Sequence, residues 1–250
     1  MSMFWTDKST RWYKHAAEYT KYYQAIYDEI STYIYETDSV CDIGCGLGYL
    51  SAEIAKKAST VTATDFEERP LLDLAERVKQ DSITNLEILQ SDWAEISDEP
   101  QWDIVVSSFF KSNLADISKL LGFCRKRLIL VVSNGSEDSF LPCGRSGHFR
   151  RKADYLKEGL VERNIPFLYR ALSVQFGQPL FSREAIVEFI KHYLPDCEQK
   201  EIDAHIHAHV KKIQTDSFGN EYFLSNKKDI GIFIIEKKSL ERQICRFDKK

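Results

Sequence analysis

The sequence predicts an α/β fold built on a parallel sheet, and three observations carry that reading. Strand-like and helix-like patterns alternate as far as residue 134, several strand-like runs are apolar almost throughout, and one of them runs into a glycine-rich turn. Nearly continuous apolar runs belong to strands covered on both faces, as in sheets whose crossover helices pack above and below. The turn lies in Val40-Cys41-Asp42-Ile43-Gly44-Cys45-Gly46-Leu47-Gly48-Tyr49-Leu50, where an apolar run closes on an acid before three alternating glycines. Gly44 and Gly46 can take positive φ and carry no Cβ, so a ligand can lie against the backbone, while the following helix start offers unsatisfied N–H groups.

Each element follows in order. Trp12, Ala16, Tyr19, Tyr23, Tyr27 and Ile30 fall at helical spacing, which predicts an aromatic helix in the first 38 residues, packed on the sheet near its first strand. Behind the glycine turn, 49–58 has helical spacing, and Val61-Thr62-Ala63-Thr64-Asp65 reads as a short buried strand closing on an acid. The unit repeats, with a helix over 71–79 and an alternating strand over 86–90 before Ser91-Asp92-Trp93. The apolar runs 102–110 and 128–132 supply two further strands, the first of them central. Next come a Ser-, Gly- and charge-rich loop over 134–150, a helix over 152–162, a strand-like run over 167–176, and a Gly177-Gln178-Pro179 break. A helix then starts near Ser182, a residue suited to an N-cap. Ile202, Ile206, Val210 and Ile213 form a stripe that predicts one more helix, with His205, His207 and His209 on its solvated side. The last strand is 229–236, joined by the turn Asn226-Lys227-Lys228 to Tyr222-Phe223-Leu224 as a hairpin. The organisation is therefore an aromatic helical cap at 1–38, a binding core at 39–134, a lid at 135–215 and a C-terminal hairpin at 216–250 that completes the sheet.

The spacing of the glycines bears on the ligand. A dinucleotide fingerprint, G-x-G-x-x-G, would place its third glycine where Tyr49 stands. Asp42 sits badly beside a diphosphate and well beside an ammonium group. Asp65 follows the turn by about twenty residues, where nucleotide-binding α/β folds place the acid that accepts ribose hydroxyls. The pattern D-x-G-x-G-x-G, with Asp65, Asp92 and the strand from Asp103 to Phe110 in this order, resembles the class I S-adenosylmethionine (SAM) methyltransferases across residues 40–134. The resemblance implies a three-layer sandwich around a mostly parallel seven-stranded sheet of order 3-2-1-4-5-7-6, with strand seven antiparallel and a lid inserted before the last strands. It implies a SAM site made by Asp42, Gly44, Cys45, Gly46 and Gly48, with Asp65 on the ribose and Phe66 against adenine. Asp92 would take the adenine amine and the backbone of Trp93 a ring nitrogen, and Ser108 is a further cofactor-binding candidate. S-adenosylhomocysteine would be the product.

The implied activity is methyl transfer to an acceptor, most simply a small molecule, controlled by positioning. Trp12, Tyr13 and Tyr19 are candidates for the acceptor pocket, and His148, Tyr13 and His15 for a proton-accepting group. The alternatives are an RNA or protein acceptor, or an inactive SAM-binding partner protein; a nicotinamide oxidoreductase is disfavoured by Asp42 and Tyr49. The N/D-P-P-Y/F signature of amine methylation on nucleic acids is replaced by Ser107-Ser108-Phe109-Phe110. Thirty-four basic against 38 acidic residues give a net charge of −4, which argues against a broad nucleic-acid footprint. The six cysteines are scattered without a C-x-x-C pair, so the three histidines lack a completing ligand cluster and no metal is expected. Nothing in the sequence resembles a signal peptide or a membrane span, so a reduced cytoplasmic setting is expected. Oligomeric state is open.

Overall fold

A computed structural model of the chain describes residues 6–135, 140–142 and 152–238. In chain order its first half contains α1 (Asp7–Thr20), α2 (Tyr22–Ile30), β1 (Ser39–Ile43), α3 (Tyr49–Ala55), β2 (Thr60–Asp65), α4 (Glu68–Gln80), β3 (Leu86–Gln90), β4 (Trp102–Ser108), α5 (Leu114–Phe123) and β5 (Cys124–Ser133). The second half contains α6 (Lys152–Glu162), β6 (Leu168–Gln175), β7 (Gln178–Leu180), α7 (Arg183–Tyr193), α8 (Gln199–His209), β8 (Val210–Lys212), β9 (Tyr222–Leu224) and β10 (Lys227–Glu236). The described residues divide into two compact units: a larger one of 23–133, 152–172 and 230–238, and a smaller one of 6–22, 134–135, 140–142 and 173–229.

The seven-stranded sheet has the order β3-β2-β1-β4-β5-β10-β6, so its sixth and seventh strands in chain order exchange places as expected. β1 pairs in parallel with β2 and β4, β2 with β3, and β4 with β5. β10 runs antiparallel to β5, with Ile230 opposite Ser133 and Glu236 opposite Arg127. Leu128, Leu130 and Val132 join one core cluster with Ile117, Leu120 and Phe123 of α5 and Leu156 and Leu160 of α6. Ile129 and Val131, whose side chains alternate to the other face, are also fully buried, which is why β5 reads as a continuous apolar run. At the N-terminal end of the sheet, the buried Asp38 carboxylate accepts from Lys126 Nζ at 2.6 Å and from the Tyr35 amide at 2.8 Å. This matters for the site because it fixes the start of β1, the strand that delivers the glycine turn.

The smaller unit has its own sheet, β7-β9-β8, and its own core of Trp12, Leu180, Ile186, Phe189, Ile190, Ile202, Ile206 and Leu224. α1 is capped by Thr6 and Ser9 in a reciprocal box and stops at Lys21, whose φ of 52° closes the helix in the left-handed conformation.

Three expectations need correction. The aromatic stripe is not one helix, because the left-handed Lys21 resets its phase. Beyond it the buried positions are Tyr22, Ile26 and Ile30 rather than Tyr23 and Tyr27. Tyr222–Leu224 does not form a hairpin with β10. It pairs with β7 and β8, with Leu224 opposite both Gln178 and Val210, while Asn226 bonds to the 175–176 segment through Phe176 N (2.8 Å) and Gln175 Oε1 (3.2 Å). β10 alone is the strand that completes the sheet, and β6 flanks it. Finally, α8 ends at His209, so Val210 lies in β8, and His205 is buried at 5 % exposure instead of solvated.

Candidate cofactor site

β1 ends at Ile43, and Gly44, Gly46 and Gly48 follow with φ of 71°, 52° and 66°. Every one of these values lies in the left-handed region that costs a side-chain-bearing residue about 1–2 kcal/mol. Space forbids side chains as well: a Cβ on Gly44 would stand 2.4 Å from Phe110 Cγ, and one on Gly48 2.3 Å from Leu74 Cδ1. The turn is tied to β2, because the amides of Gly44 and Cys45 both donate to Thr64 O at 2.8 and 3.0 Å.

Asp65, the last residue of β2, fastens the turn. Its Oδ2 accepts from Gly46 N at 2.8 Å and its Oδ1 from Glu67 N at 3.0 Å. Each carboxylate oxygen has two acceptor positions, so these bonds orient the group and leave lone pairs for a ligand hydroxyl. Asp92 is oriented in a similar way, its Oδ1 accepting from Ala94 N at 2.9 Å.

Asp42 lies elsewhere than a cavity wall. It is buried beneath the turn at 1 % exposure, with Oδ2 accepting from Ser51 Oγ of α3 at 2.5 Å. Oδ1 has no hydrogen-bond partner among the described residues. Burial is the main cause that raises its pKa to about 6, the Ser51 bond opposing and the Asp65 charge adding to the rise. Burial also pushes the Cys45 thiol well above its usual range, which makes it an inert part of the turn.

A cavity of about 470 Å³ opens at the C-terminal ends of the strands, within the larger unit. Of the residues expected from the sequence, Gly44, Asp65, Phe66, Asp92 and Trp93 line it. Phe66 is 71 % exposed, unusual for a phenylalanine and consistent with a ring that a planar ligand can cover. Cys45, Gly46 and Gly48 shape the turn without lining the cavity, and Ser108 lies at the end of β4 with its Oγ unpartnered among the described residues. The wall also contains Phe110 and Lys111, which were not anticipated. Phe110 rests against Gly44 and meets Trp93 edge-on at 6.4 Å, its carbonyl accepting from Ser107 Oγ at 2.9 Å. The neighbouring Phe109 and Lys111 have φ of 56° and 20°.

The other candidates belong to the smaller unit. Trp12 is an apolar core residue at 8 % exposure, packed edge-on against Phe189 at 5.0 Å and His192 at 5.1 Å. Tyr13 meets Phe176 at 5.0 Å, and Tyr19 stacks on Phe223 at 5.6 Å. His15 Nε2 lies 3.1 Å from Asn220 Nδ2, which also donates to Asp216 Oδ2, and burial lowers the histidine's pKa. These contacts are structural within that unit. His148 lies outside the described residues. His205 and His209 face each other at 4.5 Å, yet no group of three or more metal-ligating side chains occurs among the described residues.

The arrangement fits a nucleoside-bearing cation: a glycine cradle that any Cβ would fill, two oriented acids at successive strand ends, an exposed aromatic ring, and a buried carboxylate under the turn. Comparisons agree with that reading. Residues 41–129 match the model of a methyltransferase domain. The chain is 34 % identical over 100 residues to an uncharacterized protein of Haemophilus influenzae, covering 38 % of this chain and 37 % of that one. It is 30 % identical over 99 residues to a probable ribosomal RNA small subunit methyltransferase A of Methanosphaera stadtmanae, covering 39 % of this chain and 36 % of that one. The chain thus spans little more than a third of the length of these curated relatives. Among solved structures, a functionally unknown protein of Deinococcus radiodurans superposes with a TM-score of 0.53 at 11 % identity, covering 93 % of this chain and all (100 %) of that one. A candidate methyltransferase of Bacillus halodurans gives 0.52 at 15 % identity, covering 84 % and 97 %. Likeness at such identities speaks for the fold alone.

Proposed function

We propose that this chain, whose residues 41–129 match the model of a methyltransferase domain, is a SAM-dependent enzyme that moves a methyl group from SAM to a small-molecule acceptor by in-line displacement. The observation that carries the proposal is the cavity at the strand ends, where Asp65, already bonded to the turn it stabilises, and Asp92 face one space with Phe66 and Trp93. SAM supplies a methyl on a sulfonium carbon, an activated group with its leaving group built in. The chain's own residues then have two tasks, holding the cofactor and aligning the acceptor. Asp65 accepts hydroxyl donors with the lone pairs its backbone bonds leave, Asp92 accepts an exocyclic amine, and Phe66 offers a ring face for an aromatic base. The turn from Gly44 to Gly48 lets the ligand approach the backbone, and the Asp42 carboxylate beneath it favours a cationic ligand. Orientation of this kind can account for about 7–11 kcal/mol of barrier, so a dedicated proton acceptor is required only for an acceptor of high pKa.

Calorimetry with S-adenosylhomocysteine tests the assignment. Wild-type protein binds it, and Asp65→Ala weakens binding by about a hundredfold, the effect of losing charge-assisted bonds to a hydroxyl pair. Equal binding by the two proteins would refute the site. The relative named as a ribosomal RNA methyltransferase motivates a second reading, an RNA acceptor. Labelled methyl from SAM appearing in the RNA fraction of an extract, and not among small molecules, would favour it. Among the described residues no helix is long and apolar enough to cross a membrane.

A further inference from the structure

The turn after β4 carries a cation that the cofactor assignment leaves unexplained. Lys111 lines the cavity, with Nζ 5.1 Å from the centre of the Trp93 ring and 5.5 Å from that of Phe110. It takes part in no hydrogen bond or ion pair among the described residues. Lys119 makes the contrast plain: it also sits over Trp93, at 5.2 Å, but its ammonium is spent on Ala94 O at 2.6 Å and on Asp98 at 3.8 Å. Two rings hold a lysine in place without neutralising it, because a ring quadrupole attracts a cation far more weakly than a carboxylate does.

The backbone supplies an independent reason to look here. Lys111 has a φ of 20°, and Phe109 one of 56°, in the region where glycine alone is free of strain. Glycine would close the same turn at lower cost, so what the strain retains is the side chain. The charges around the cavity are also divided. Asp65 and Asp92 supply acceptors for donors on the ligand, and Lys111 is the single cationic side chain among the described residues of the wall. Resting on the methyltransferase reading, a cavity that holds a cationic cofactor gains from an acceptor of opposite charge.

We propose that Lys111 anchors the anionic group, a carboxylate or a phosphate monoester, of a small planar acceptor, with the Phe110 and Trp93 rings as its apolar wall. An ammonium fixed over two rings is preorganised for such an ion pair, since part of its rotamer freedom has already been lost. Lys111 is thereby a specificity-determining residue, selecting the acceptor by charge.

The test uses protein saturated with S-adenosylhomocysteine and titrated calorimetrically with benzoate, phenyl phosphate, neutral benzyl alcohol and a short single-stranded RNA. At least one of the two anions is expected to bind, and which one binds distinguishes carboxylate from phosphate. Its affinity should fall about tenfold or more in Lys111→Gln, stay within about threefold in Lys111→Arg, and weaken as salt is raised. Each variant's urea unfolding midpoint is compared with that of wild type to show that it is folded, and its own affinity for S-adenosylhomocysteine is measured so that every anion titration is made on saturated protein. Anion binding undiminished in Lys111→Gln, benzyl alcohol binding as tightly as the anions, neither anion binding at millimolar concentration, or binding of the RNA alone would each overturn the proposal. Wild-type protein that fails to bind S-adenosylhomocysteine would instead overturn the cofactor reading, and this proposal with it.

Discussion

Two turns in the larger unit reach the same cavity by opposite use of the same backbone conformation. After β1 the left-handed positions are Gly44, Gly46 and Gly48, at φ of 71°, 52° and 66°. After β4 they are Phe109 and Lys111, at 56° and 20°. In the first turn side chains are excluded, since Gly44 is overlain by Phe110 and Gly48 by Leu74. In the second the side chains are kept in spite of the conformation, at a cost on the order of 1–3 kcal/mol per strained residue. In the proposed site, one turn brings a ligand to the backbone, and the other brings side chains to the ligand.

Gly44→Ala breaks the comparison most severely if it is wrong. A left-handed alanine costs about 1–2 kcal/mol, and forcing Phe110 aside adds about 1–3. Urea unfolding should therefore show a loss on the order of 4 kcal/mol, with S-adenosylhomocysteine binding abolished in whatever remains folded. A variant as stable as wild type would mean that the turn relaxes freely and that close approach to its backbone is not required.

The contrast between the turns also explains what could be read from the sequence. Gly44, Gly46 and Gly48 declare their conformation by residue type, and Asp65 and Asp92 are legible because each is an acid closing a strand of strong β pattern. Phe110 and Lys111 carry no such mark. In Ser107-Ser108-Phe109-Phe110 the apolar strand pattern simply runs on, and the left-handed break at Phe109 is held by tertiary contacts that residue type does not announce. Lys21 hid the end of α1 for the same reason, since a left-handed C-cap usually carries glycine. Periodicity located the buried face of α1 but not its partner: Trp12 reads equally well as a pocket wall or as the core residue it is. The segment 222–224 paired with strands that begin at 178 and 210, and local turn signals cannot decide between such distant partners.

Asp42 sharpens the account of the first turn, because burial there is expressed as pH dependence. Its carboxyl has a pKa raised from 3.8 to about 6 in the folded protein, mainly by burial. Below the lower value the group is protonated both folded and unfolded and has no effect. As pH rises toward 6 the unfolded chain loses the proton more readily, so the folded state is progressively disfavoured, and above about 6 the cost is complete. A pKa raised from 3.8 to about 6 corresponds to about 3 kcal/mol. Unfolding free energies at pH 4 and pH 7 should consequently show wild type losing about 2 kcal/mol relative to Asp42→Asn between the two conditions, since part of the cost is already present at pH 4. Parallel profiles for the two proteins would show that the carboxylate is solvated or paired after all, and that the turn rests on something less demanding.

The smallest effect is the one that separates the turns most cleanly. If the strain at Phe109 is retained for its neighbours' side chains and not for stability, Phe109→Gly relieves a left-handed φ of 56° at a residue whose ring is already 42 % exposed. Glycine takes this conformation without the Cβ clash, but more than half of the Phe109 surface is buried, and part of the gain also goes to the greater freedom of the unfolded chain. The expected net result is a stability within about 1 kcal/mol of wild type in urea, with unaltered affinity for S-adenosylhomocysteine. A loss of stability well beyond that would mean that the Phe109 ring holds the second turn by packing. The strain would then be a by-product of a structural anchor, and the two turns would differ only in which atoms fill the space beside the cavity.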